Sequence, residues 1–233
     1  MPRIALISDP HANLTALKAV IKALEGESPD LWLCMGDLVG YGPDPSGCID
    51  LVREKKMLCV KGNHDAGVTG ELSIKHFRDP NRTLIEKTKE LISEDQMSWL
   101  RSLPLTMELD NWVAAHASPI DPSKWKYVES AFTARDILNK IKKPLCFIGH
   151  THKPALVSDS FRVNTFKSGN KYLINPGSVG QSRDGDYRAS CALVDTEEWT
   201  YKNFRVEFDL EPVLTKLMKL GFTRREAGYL MKI

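Results

Sequence analysis

The sequence predicts an α/β fold of two packed sheets with helices outside. Three observations carry that expectation. Short apolar runs of strand length alternate, in the first half of the chain, with segments of amphipathic helical spacing. The runs at 4–8, 31–35, 58–60, 112–115 and 145–148 each lead into Asp, Asn or His. Beyond residue 152 the texture changes to short strands with little room for helices between them. In open α/β sheets sites collect beyond the carboxyl ends of the strands, so those polar residues are expected to converge.

The elements follow in order. After the first strand, residues 13–24 carry Leu14, Leu17, Val20, Ile21 and Leu24 at helical spacing, with Asn13 as the N-cap. The second strand runs into the turn-rich loop 36–42, a short helix is expected over 45–54, and the third strand ends at Gly62, which is read as a sharp turn with a special backbone angle. This β-α-β-α-β order implies a largely parallel sheet with right-handed crossovers. Residues 73–101 read as helix split near Ser93, where Ser93 and Gln96 match a capping box. Residues 105–109 and 112–116 form a hairpin across Asp110 and Asn111, 119–126 is loop, and 131–141 is helix. Short strands are expected at 155–157, 161–164, 172–174, 189–194 and 199–208, in an antiparallel or mixed second sheet. A helical tail begins near residue 210. No repeat, low-complexity stretch or long linker divides the chain, so residues 1–233 are read as one domain.

Composition narrows the function. The 233 residues are 42% hydrophobic, enough for a substantial core. The formal charge of +2 comes from 32 basic and 30 acidic residues well mixed along the chain, which argues against a dedicated nucleic-acid surface. The basic stretch 75–89 also carries acids and helix-spaced apolar residues, and reads as a solvated helix face. Five unpaired cysteines, four in strand-like runs, suit buried thiols in a reducing compartment. No signal-peptide pattern is seen, and no apolar stretch approaches the roughly 20 residues a membrane span needs. A cytoplasmic enzyme without a membrane partner is expected. The C-terminal helix and the edge of the second sheet are candidate contacts for a homodimer.

The ligand-type residues are Asp9, His11, Asp37, Asn63, His116, His150 and His152. Carboxylate, amide and imidazole without thiolate suit borderline divalent ions such as Mn²⁺, Fe²⁺, Zn²⁺ or Ni²⁺. Seven donors exceed what one tetrahedral ion needs, so two ions are inferred, with Asp37 central enough to bridge them. Singly, Gly-Asp or Asp-Pro after a strand is ordinary turn chemistry. The conjunction defeats that reading, because five of the six histidines fall at strand ends. His76, the sixth, is read as a surface residue of the charged helix.

In order and spacing, Asp9-Pro10-His11, Gly36-Asp37, Gly62-Asn63-His64-Asp65, His116 and Gly149-His150-Thr151-His152 resemble the signature blocks of the calcineurin-like metallophosphoesterases. The short chain and the Asn175-Pro176-Gly177-Ser178 loop are most similar to the small prokaryotic YfcE-type phosphodiesterase branch. The resemblance covers roughly residues 3–195 and implies a four-layer α-β-β-α sandwich of two mixed sheets flanked by helices. It further implies one metal on Asp9, His11, Asp37 and His152, and a second on Asp37, Asn63, His116 and His150. His64 stays off the metals as the catalytic residue facing the substrate.

The implied activity is hydrolysis of small phosphodiesters or phosphomonoesters by metal-activated hydroxide, with Mn²⁺ the first choice of ion. Two cations about 3.5–4 Å apart lower the pKa of a shared water and clamp the phosphate during in-line displacement. His64 then protonates the leaving alkoxide or neutralises developing charge. The protein-phosphatase branch of the family and its diadenosine tetraphosphatase relatives carry an acidic residue and an arginine where this chain has Gly40 and Tyr41. Asp65 or a backbone carbonyl is expected to orient His64 instead, and Arg183, with Asn63 and His64, to bind substrate. Pro10 is a second departure and is expected to leave metal binding intact. The alternatives are a dinucleoside polyphosphate (diadenosine tetraphosphate) hydrolase, a nuclease, and a non-catalytic interaction module on the same fold. The missing acid and arginine count against the first, the near-neutral charge against the second, and the presence of His64 against the third.

Overall fold

The computed structural model describes residues 3–109, 111–160 and 165–233, and for His76 the backbone only. The chain opens β1 (Arg3–Ile7), α1 (Leu14–Glu25), β2 (Leu31–Cys34), α2 (Pro45–Glu54), β3 (Leu58–Cys59) and α3 (Asn63–Thr69). It continues α4 (Asn81–Leu91), α5 (Glu94–Ser102), β4 (Thr106–Leu109), β5 (Trp112–Ala115), α6 (Ala131–Lys140) and β6 (Leu145–Phe147). The last part is β7 (Pro154–Ser158), β8 (Tyr172–Pro176), β9 (Ala189–Asp195), β10 (Thr200–Val206), α7 (Glu211–Lys219) and α8 (Arg224–Met231).

Two five-stranded mixed sheets result, ordered β10-β9-β1-β2-β3 and β4-β5-β6-β8-β7. In the first, β1, β2 and β3 are parallel, as the β-α-β-α-β pattern requires, and β9 adds antiparallel to β1. In the second, β5, β6 and β8 are parallel, with β4 and β7 antiparallel at the edges. The late strands therefore do not make a sheet of their own. β7 and β8 join the second sheet, whereas β9 and β10 return to the far side of the first.

Side-chain alternation turns the two sheets into four layers. On β1, Ala5 and Ile7 pack with Leu17, Val20 and Leu24 of α1, while Ile4 and Leu6 face the other sheet. That inter-sheet core also holds Leu33, Trp112, Phe147, Tyr172 and Ala192. On the outer face of the second sheet Val113, Cys146 and Leu173 pack on Ala134, Ile137 and Leu138 of α6. Because both faces of the central strands are covered, their sequences read as continuous apolar runs. The helical tail packs as α7 and α8 around Leu84 of α4. All five cysteines are buried and free.

Asn13 caps α1 by accepting from the Ala16 N–H, and Ser93 and Gln96 close a capping box at α5. The helix expected over 73–101 is shorter at its start. Residues 74–76 form a single 3₁₀ turn, and α4 begins only after Pro80, whose ring is tolerated ahead of a helix and not within one. The strand expected at 161–164, the Asp110 corner and the side chain of His76 lie outside the described residues. Among those residues, no helix is long and apolar enough to cross a membrane.

Candidate metal centre

The carboxyl ends of five strands deliver the polar residues to one place. The loop after β1 carries Asp9 and His11, that after β2 carries Asp37, and β3 leads to Asn63 at the start of α3. From the second sheet, β5 leads to His116 and β6 to His150 and His152. The two sheets pack face to face with these strand ends at the same side, so residues far apart in sequence become neighbours. His11 Nε2 lies 3.5 Å and His116 Nε2 3.3 Å from Asp37 Oδ2. Asp9 Oδ1 lies 3.2 Å from His152 Nε2, and Asn63 Oδ1 lies 3.2 Å from His116 Nε2. Asp9, His11, Asp37 and His152 form one cluster with ligand-type atoms all within 4.8 Å of one another; Asp37, His116 and His150 form a second. Asp37 belongs to both.

The backbone is bent to achieve this. Asp9, His11, Asp37, His150 and His152 all have positive φ, between 47° and 66°. Left-handed backbone in non-glycine residues costs free energy and gathers at functional sites. At Gly62 the reason for glycine is different from the expected one. Its φ is −96°, open to any residue, but a Cβ there would overlap the Asp37 carboxylate.

Each histidine of the clusters is set by a backbone carbonyl. Nδ1 of His11 donates to Val39 O (3.0 Å), Nδ1 of His116 to Met35 O (2.6 Å), and Nδ1 of His152 to Gln181 O. In His150 it is Nε2 that donates, to Trp125 O (3.0 Å). A carbonyl can only accept, so in the neutral rings the other nitrogen presents a lone pair to the cluster. His11 Nε2 and His152 Nε2 then face each other at 3.1 Å, whereas a proton on His116 can bridge the 3.1 Å between its Nε2 and His150 Nδ1. Lone pairs at that distance repel unless a cation lies between them. Asp9 Oδ1 is likewise buried with no hydrogen-bond partner. These residues fit divalent metal ions.

The electrostatics agree. Burial works against ionising Asp9, yet His152 and His116 hold it well below the carboxylate range. Burial also opposes charge on His116, but Asp37 and Asp9 outweigh it and raise the imidazolium to about 10. Burial dominates at His150, taking it down to about 3, and at His64, taking it down to about 4.

His64, on the first turn of α3, stands beside the clusters and belongs to neither. Its ring packs against Tyr41, His11 and Phe77, with centroids 4.6, 4.7 and 5.0 Å away. Its Nδ1 is buried without a hydrogen-bond partner. Asp65 does not orient it. That carboxylate accepts from the backbone N–H of Asp37 (2.9 Å), Val39 (3.3 Å) and Gly62 (2.9 Å), and so fixes the loops that carry Asp37 and Asn63. Burial and the Asp37 charge push Asp65 up to about 7, against the pull of those amides. Arg183 reaches the site from the loop after β8. Its guanidinium donates to Tyr41 Oη (3.1 Å) and to Gln181 Oε1 (2.9 and 3.0 Å).

A family model described as the calcineurin-like phosphoesterase superfamily domain matches residues 2–199. The chain belongs to that superfamily. An uncharacterized protein of Methanocaldococcus jannaschii is 36% identical over 226 residues, spanning 93% of this chain and 92% of its own. The crystal structure of a metallophosphoesterase from Sphaerobacter thermophilus superposes with a TM-score of 0.84 and 34% identity, over 98% of this chain and 97% of its own. A hypothetical protein of Pyrococcus horikoshii shares the fold, with a TM-score of 0.83 at 17% identity over 98% and 97% of the two chains.

Two groups sharing Asp37 are thus within reach of an ion, Asp9, His11 and His152 on one side and His116 and His150 on the other. Sequence reasoning missed the Trp125 and Gln181 carbonyls that set two of the rings, since a backbone acceptor has no residue signature. It also read Tyr41 only as the place of a missing arginine. Tyr41 instead lies edge-on to His11, with centroids 4.4 Å apart, and holds Arg183.

Proposed function

We propose that the protein is a dinuclear-metal phosphoesterase that hydrolyses small phosphodiesters or phosphomonoesters. The observation that carries this reading is the pair of Asp/His clusters sharing Asp37. One ion would be held by Asp9, His11, Asp37 and His152, the other by Asp37, Asn63, His116 and His150. When bound, two such ions activate a water and clamp the phosphate oxygens of an in-line displacement. The nitrogen-rich, thiolate-free donor set suits Mn²⁺, Fe, Zn²⁺ or Ni²⁺, and Mn²⁺ is the ion we expect.

The chain's own residues do the rest. His64, neutral at physiological pH, would offer its N–H as a hydrogen-bond donor to the leaving oxygen and so offset its developing charge, the proton that completes the alcohol coming from solvent. Asn63, with its carbonyl oxygen on the metal side, has an amide N–H₂ to offer the phosphate. Arg183 has no carboxylate within ion-pair distance among the described residues. A part-buried guanidinium held only by neutral acceptors is suited to the charge of a substrate phosphate. A reducing, cytoplasmic setting suits the five buried free thiols.

Metal-stripped protein should be inert toward bis(p-nitrophenyl) phosphate and p-nitrophenyl phosphate. Turnover of at least one should return with Mn²⁺, with two ions bound per chain. Full activity in chelator, or saturation at a single ion, would sink the dinuclear reading.

A further inference from the structure

A cavity of about 900 Å³ lies beside the clusters, lined among others by Tyr127, Thr151, Lys153, Arg183, Tyr187 and Lys232. Thr151 sits between His150 and His152 in the chain, and the Tyr127 ring stacks on that of His150, with centroids 4.0 Å apart and planes 21° from parallel. Tyr127 nevertheless remains 50% exposed, and Tyr187 58%. Two large aromatic rings are therefore offered to solvent in the wall of one cavity, and one of them lies against a ligand-type histidine.

The charge of the wall has a sign. Lys153, Arg183 and Lys232 are set against Glu129 and Asp186, and Asp186 is already paired with Arg188 (2.6 Å). The volume is that of a drug-sized organic ligand, well beyond a phosphate with a short alkyl group. It is a cavity and not a long basic track, and the chain's net charge of +2 gives no footing for a polynucleotide.

We propose, resting on the phosphoesterase reading above, that this cavity takes the organic part of the substrate and that this part is a nucleoside. Its base stacks on Tyr127 and Tyr187, while its phosphate lies between Arg183 and the clusters. Flat aromatic rings bind every base through its π-face, and cations beside them suit the phosphate to which the base is attached. The substrate class is then a mononucleotide-sized phosphate ester.

The test uses Mn²⁺-loaded full-length protein and two diesters with the same p-nitrophenolate leaving group, methyl p-nitrophenyl phosphate and thymidine 5′-(p-nitrophenyl phosphate). Sharing the leaving group holds the intrinsic chemistry nearly constant. The thymidine ester should be preferred by about tenfold or more in kcat/KM, chiefly through KM, and Tyr187→Ala should reduce that preference by about tenfold. Tyr187 is exposed, so the substitution leaves the core untouched. Equal hydrolysis of both esters overturns the nucleoside assignment and leaves the phosphoesterase reading standing. A preference that survives both Tyr187→Ala and Tyr127→Ala overturns it as well. Hydrolysis of neither ester overturns this inference, and the phosphoesterase reading falls with it only if p-nitrophenyl phosphate is left intact as well.

Discussion

Gly40 and His64 compete for one space: a Cβ at position 40 would overlap the imidazole, landing on Nδ1 and standing 3.0 Å from Cγ. Gly40 also has φ +93°, which a side chain resists. The ring of His64 is thus seated where a larger residue would stand, and packing holds it where no hydrogen bond reaches Nδ1. Gly40→Ala should displace that ring. Turnover should fall at least about tenfold and stability by about 1–3 kcal/mol, with metal content unchanged. Wild-type kinetics in this variant would show that the position of His64 is immaterial.

His64→Ala tests the residue itself. The ring lies outside both clusters, so two ions should remain bound while turnover drops by about 10²–10⁴-fold. Metal analysis and single-turnover kinetics on the same preparation separate the two effects. Unchanged hydrolysis would remove His64 from the reaction.

The blocks around Asp9, Asp37, Asn63, His116 and His150 were legible because strand ends mark themselves. An apolar run of β-length breaks at a Gly or Asp, and the next polar residue is at the sheet's rim. The partition of strands between sheets was not legible, because pairing such as Arg3 with Asp195 is decided by contacts remote in sequence. α3 was hidden by its brevity and by its own function, since Asn63, His64 and Asp65 are chosen for the site and not for helix propensity. The Tyr41–Arg183 hydrogen bond joins residues 142 apart, and nothing local to either residue announces the other.

Asp65 should matter for the fold more than for the chemistry. Its carboxylate is buried and takes up three backbone N–H groups on two loops. Asp65→Ala leaves those donors unpaired, a loss on the order of 3 kcal/mol, with metal affinity falling as the Asp37 loop loosens. Asp65→Asn, which keeps one acceptor oxygen, should lose less. Thermal melts of both variants in chelator decide the point, and equal Tm values for wild type and Asp65→Ala would show that the amides find other partners.

Metal binding should depend on pH through His116. Burial opposes its charge, but Asp37 and Asp9 raise it to about 10 in the metal-free protein. A raised pKa means that the proton stabilises the empty fold fully below about 6.5, and that this contribution disappears as pH climbs through about 10. At neutral pH an ion entering beside His116 must therefore expel close to one proton. Affinity should rise by up to about tenfold per pH unit between about pH 6 and pH 8, with proton release visible as a buffer-dependent binding enthalpy. His116→Asn should flatten that slope, because the amide has no proton to expel. A metal affinity equally steep in pH without His116 would assign the competing proton to another residue of the clusters.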